Sequence, residues 1–138
     1  MHGHGALSTA VAVAPDEPAA RYRRAVFKAT VVGGVLQTLG ALLVHAIPPL
    51  LDGRLYPVLA TLTAGFTGFL LARASRGTAL GRQLRGGGLA AGTGGLAGAG
   101  LFSLLGHLPL ELLPVAVITC SVTGAVAAPL GRLRRHRQ

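Results

Sequence analysis

The 138-residue chain contains no Trp and no Asn, a single Cys, two Tyr and only four acidic residues. One cysteine excludes an intrachain disulfide and any cysteine-based metal cluster. That residue, Cys120, lies between Thr119 and Ser121 in an apolar run, where a lone thiol is a small apolar side chain. The acidic residues, Asp16, Glu17, Asp52 and Glu111, all fall outside the apolar runs, which leaves acid–base catalysis few candidates. GxSxG, HExxH and GxxxxGK[ST] patterns are missing, so hydrolase, metalloprotease and phosphate-loop chemistry have no sequence support. No catalytic residue, metal or cofactor is expected, and the chain reads as a non-enzyme. With 12% charged and 51% apolar residues, a soluble domain would lack the polar side chains to cover its surface.

Arginine, in contrast, is plentiful, and the net charge is +9. Twelve of the thirteen Lys and Arg residues fall in three clusters: Arg21, Arg23, Arg24 and Lys28; Arg73, Arg76, Arg82 and Arg85; Arg132, Arg134, Arg135 and Arg137. Only Arg54 stands apart. Clustered bases neutralise nucleic-acid phosphates, but here they flank apolar runs and carry Tyr22 as their one aromatic, with no helix-turn-helix, zinc or RNA-binding signature. No nucleic-acid partner is expected. If each intervening apolar block crosses a bilayer twice, all three clusters share one side, which is the positive-inside pattern.

The expected fold is therefore an all-α integral membrane protein with four transmembrane helices in two tandem hairpins, in the cell membrane, with both termini cytoplasmic. The spans read 29–47, closed by Pro48 and Pro49, then 55–72, opened by Tyr56 and Pro57, then 86–105 and 112–130. Each has 18 to 20 residues, near the ~20 that a hydrocarbon core requires. Residues 50–54 and 106–111 form outer turns, and 73–85 an inner loop. Around this membrane domain (21–131) lie a disordered tail (1–20) and a basic tail (132–138). The apolar stretch from Ala6 to Ala14 has no basic residue before it, unlike a secretory signal.

The hairpins look like copies. Gly33-Gly34 leading to His45 matches Gly94-Gly95 leading to His107, and Pro57-Val58 leading to Thr67-Gly68 matches Pro114-Val115 leading to Thr123-Gly124. Offsets stay between 56 and 62 residues, and the copies enter from the same side, which makes the repeat parallel.

Two constellations stand out. In the third span Gly88, Gly92, Gly95 and Ala99 recur at helical spacing, with Gly94 and Gly98 beside them. Small residues four apart let helix backbones approach where lipid supplies no hydrophobic drive. Such a row serves packing within the bundle, or alternatively a dimer or pore. Eight glycines also weaken this helix intrinsically. The second constellation is His45 and His107 at matching outer positions, with Asp52 and Glu111 in the outer turns. Two imidazoles and two carboxylates suit proton exchange or a divalent cation, although their spacing fits no metal motif. His2 and His4 in the tail supply two ligands, too few for a closed site.

No ionisable residue lies deep in a span; Gln37, Thr38, Thr61, Thr63, Thr67, Thr93, Ser103, Thr119, Ser121 and Thr123 supply the polarity. Hydroxyls can bond to their own helix backbone, and without a buried charge a proton-driven exporter is disfavoured. Paired hairpins, the VGG at Val32 to Gly34 and Arg-rich ends at Arg73 and Arg132 give an outline that resembles small lipid-linked-sugar translocases of the GtrA type. The Asn-Arg-x-Trp-like ending of each hairpin that this resemblance implies is absent here. The expected partners are the lipid bilayer and either further copies of the chain or another membrane protein. The expected role is a non-catalytic accessory, assembly or regulatory subunit; the alternative is a small dimeric translocator or pore for a lipid-linked or uncharged substrate, without proton coupling.

Overall fold

The computed structural model describes residues 17–47 and 55–133, with backbone alone at 132 and 133. Four helices make up this part: α1 (Glu17–Ala46), α2 (Leu55–Ala74), α3 (Leu80–Leu104) and α4 (Leu113–Leu133), the last preceded by a 3-10 turn at Leu110–Leu112. Three segments are long and apolar enough to cross a membrane: α1, α2 and Leu110–Gly131. The described part is thus all-helical, with the helices of a membrane protein.

The helices extend beyond the apolar spans. Pro18 sits in the first turn of α1, where its missing N–H removes no intrahelical bond. Residues 17–20, expected in the disordered tail, are therefore helical, while 1–16, with His2 and His4, lie outside the described residues. The inner loop expected over 73–85 is only a turn at 75–79, because Arg73 lies in the last turn of α2 and Arg82 and Arg85 in the first two turns of α3. Arginine is a good helix former, so the break waits for Gly77, whose φ of +87° suits glycine. The outer turn at 50–54 and the tail from 134 also lie outside the described residues. Pro129 does not end α4, which continues to Leu133.

α3 is the centre of the bundle and packs against all three other helices, most closely against α4 and α1. It runs parallel to α1. Along that pair Tyr22 reaches Arg82, Gly33 faces Gly94, Gln37 faces Gly98 and His45 meets His107. α2 and α4 are likewise parallel, with Gly68 against Gly124 and Ala72 against Gly131. Every one of these pairs joins a residue of the first hairpin to one near its sequence counterpart in the second.

The contact stripes consist mostly of small side chains. On α1 the buried residues are Ala25, Ala29, Gly33, Gln37, Ala41 and Val44, one turn apart, while Phe27, Val31, Val35, Leu39 and Leu43 face outward. Three apolar clusters stack along the bundle: Ala25, Ala29, Leu71 and Ala90 at the basic end; Ala64, Ala91 and Cys120 in the middle; Ala41, Val44, Tyr56 and Phe102 at the histidine end. Thr30, Thr61, Thr63, Thr67, Thr93, Thr119 and Thr123 each donate to the carbonyl four residues back. These hydroxyls are satisfied within their own helices and require no aqueous lining.

Candidate functional site

At the end of the bundle away from the basic clusters, His45 Nδ1 lies 2.7 Å from His107 Nε2. At that separation one ring donates its N–H and the other accepts, so the two rings carry complementary tautomers. The helix termini set this geometry. α3 ends at Leu104, and Gly106 takes a φ of +80°. Gly106 N–H donates to Ser103 (2.9 Å) and His107 N–H to Phe102 (3.1 Å). This Schellman arrangement requires the left-handed residue and carries His107 back over the end of α3, towards the last turn of α1.

An aromatic column leads inward from the pair. The His45 and His107 ring centroids are 5.0 Å apart, His107 and Phe102 5.1 Å, and Phe102 stacks on Tyr56 at 4.1 Å. Offset and tilted rings at these distances attract through their quadrupoles. Below Tyr56 lies Gln37, whose Nε2 donates to the Ala60 carbonyl (2.8 Å) and approaches Cys120 Sγ (3.8 Å), joining α1, α2 and α4. Gln37 Oε1 and the Tyr56 hydroxyl are buried without a hydrogen-bond partner among the described residues. Gly98 makes room for both: a Cβ there would stand 2.8 Å from Gln37 Cβ and 3.0 Å from the Tyr56 oxygen.

Of the residues that the sequence groups at the outer face, the structure brings His45 and His107 together. Glu111 lies in the 3-10 turn before α4 and is exposed, with no hydrogen bond or ion pair to either ring. Asp52 lies outside the described residues. Among the described residues no three His, Cys, Asp or Glu side chains gather as a metal site.

The glycine row of α3 faces α4 within the same chain. A Cβ at Gly88 would stand 3.2 Å from the Ser121 carbonyl oxygen, one at Gly92 would strike the Ser121 hydroxyl, and one at Gly95 would come within 2.7 Å of Cys120 Cβ. Ala99 is buried in the same helix. Gly94 faces the backbone of Gly33 and Gly34 instead, where a Cβ would stand 3.0–3.2 Å away. The tightest point is Gly124, which abuts the backbones of both Gly68 and Gly87. Three helices thus meet there, with the Ala91 methyl as the nearest side chain.

The sequence pattern gave Tyr22 and Tyr56 no part in a site, and it did not single out Phe102 or Gln83. Gln83 is fully buried, and its Nε2 donates to the Ser75 carbonyl (2.8 Å), tying α3 to the turn after α2. One signal was available: it is the one uncharged polar long chain in an arginine-rich stretch. No family model, characterised protein or solved structure matches the chain.

Proposed function

We propose that this protein is a non-catalytic membrane partner, an accessory, assembly or regulatory subunit of the cell membrane that acts through helix packing and its basic cytoplasmic segments. In this reading two duplicated hairpins cross the membrane four times, and both termini are cytoplasmic. The meeting of matched residues, Gly33 with Gly94, His45 with His107 and Gly68 with Gly124, supports the duplication.

One observation carries the role: among the described residues, helix backbones meet closely where a conduit would have to pass. Gly124 abuts Gly68 and Gly87, and Gly94 abuts Gly33 and Gly34. A wet groove between α1 and α3 would be lined by Gln37 and Thr93. Instead Gln37 is 2% exposed and bonded to Ala60, and Thr93 points outward, donating to Leu89. The outward faces of α1 and α4 carry Val35, Leu39, Ile118, Val122 and Val126, which suit lipid or another membrane helix.

The second reading is a dimeric translocator or pore for an uncharged or lipid-linked substrate. It is favoured by the unpaired Gln37 Oε1 and Tyr56 hydroxyl beneath the histidine pair, two polar groups for which a substrate would compensate. Mild-detergent purification with mass analysis decides between the two. A stoichiometric second protein supports the accessory role, and a homodimer free of other proteins favours the translocator.

A further inference from the structure

The basic end holds a recess of about 320 Å³ between the start of α1 and the turn joining α2 to α3, lined by Arg21, Tyr22, Ser75, Arg76, Thr78 and Arg82 among others. Glu17 is its one acidic lining residue, set against three arginines from three different segments. Among the described residues no carboxylate pairs with these guanidinium groups. Two of the nearby backbone acceptors already have donors: Tyr22 Oη–H donates to the Arg82 carbonyl (2.6 Å), and Gln83 Nε2 to that of Ser75 (2.8 Å). Those bonds fix the walls, since Tyr22 binds α1 to α3 and Gln83 binds α3 to the turn. What the recess offers a ligand is therefore mainly donors and positive charge. It also lies at the amino end of α3, where Ala79 supplies no side-chain cap, and a helix amino terminus adds to the attraction for an anion.

Its depth points to the source of that anion. Counting about 20 residues back from Ala46 for the hydrocarbon core brings α1 to the neighbourhood of Phe27, so Arg21 stands more than a turn outside it, at the level of lipid headgroups. We infer that this recess binds the phosphate group of an anionic membrane lipid, held by the forked guanidinium groups of Arg21, Arg76 and Arg82. The inference does not depend on which partner the protein serves.

Arg23, Arg24 and Lys28 supply an internal control. They line a separate, more open groove with Ala20 and Phe27 at the same end of α1, so their removal takes away equal charge without touching the recess. The experiment is native mass spectrometry of the full chain released from vesicles of equal phosphatidylglycerol and phosphatidylcholine. The expected result is one retained phosphatidylglycerol, weakened roughly a hundredfold in R21Q/R76Q/R82Q and about fivefold in R76Q alone. R23Q/R24Q/K28Q, which leaves the recess intact, should lower retention far less than R21Q/R76Q/R82Q. Arg76 is exposed on the turn, so the single variant reports even if the triple variant does not fold. Equal losses in the two triple variants, or unchanged retention in R76Q, would overturn the proposal by showing diffuse attraction only. Binding of inorganic phosphate with no retained lipid would overturn the lipid assignment.

Discussion

α3 and α4 are neighbours of similar length and opposite character. The segment containing α4 qualifies as a membrane span by composition, yet only 11% of its apolar stretch is buried. α3 is not among the segments apolar enough to qualify, yet Gly86, Gly87, Ala90, Ala91, Gly92, Gly94, Gly95, Gly98 and Ala99 are all buried along it. The contrast is physical. Lipid chains reward large apolar side chains, whereas a neighbouring helix rewards small ones that permit close approach. Hydropathy therefore reports contact with lipid rather than place in the fold, and the most enclosed helix scores lowest. α3 keeps an outer strip of Leu80, Leu89, Leu96 and Leu104, of the kind that Val115, Ile118, Val122, Val126 and Leu130 form on α4.

The largest test asks whether α3 crosses at all. With Cys120 replaced by Ala, cysteines introduced at Gly77 and at Glu111 should react with a membrane-impermeant reagent from opposite sides; reaction from one side would remove α3 from the membrane. Next in size is Gly124→Leu, which drives a side chain into the Ala91 methyl and the backbone of Gly87. It should destabilise by about 3 kcal/mol or more, seen as a collapse of the thermal transition by circular dichroism. Gly92→Leu meets the movable Ser121 hydroxyl first, so its cost should be about 1–3 kcal/mol; a loss equal to that of Gly124→Leu would show that side-chain adjustment does not matter in this seam. Gln37→Leu removes the bond to Ala60 together with a buried unpaired oxygen, and the two effects should cancel to within about 1 kcal/mol. Smallest is Val122→Leu on the exposed face of α4, expected to shift stability by less than about 0.5 kcal/mol. A larger shift would mean that this face is covered by protein and not by lipid.

The apolar runs and their flanking prolines and arginines made the helices readable in the sequence. Their ends were less so, because Arg73, Arg82 and Arg85 leave a hydrophobic span without leaving a helix. The spacing of Gly88, Gly92 and Gly95 announces a contact face but not its partner, since Ser121 and Cys120 lie across a loop on a helix with no matching glycine row. The repeat puts His45 and His107 at matching positions, yet their approach depends on Gly106 turning the chain back, a conformation no single residue type dictates. Tyr56, Phe102 and Gln37 meet only through tertiary packing. Each reads locally as an ordinary residue of an apolar helix.

The Gln37–Ala60 bond has a consequence for biogenesis. Both residues belong to the first two helices, which precede α3 and α4 in the chain and are synthesised before them. A primary amide facing hydrocarbon without a partner is costly, but here its donor side is engaged as soon as α2 folds back on α1. The first half of the chain can thus wait in the membrane with that amide half satisfied. Gly98 of the second half packs against the Cβ of Gln37, so the side chain that ties α1 to α2 is also part of the surface on which α3 docks.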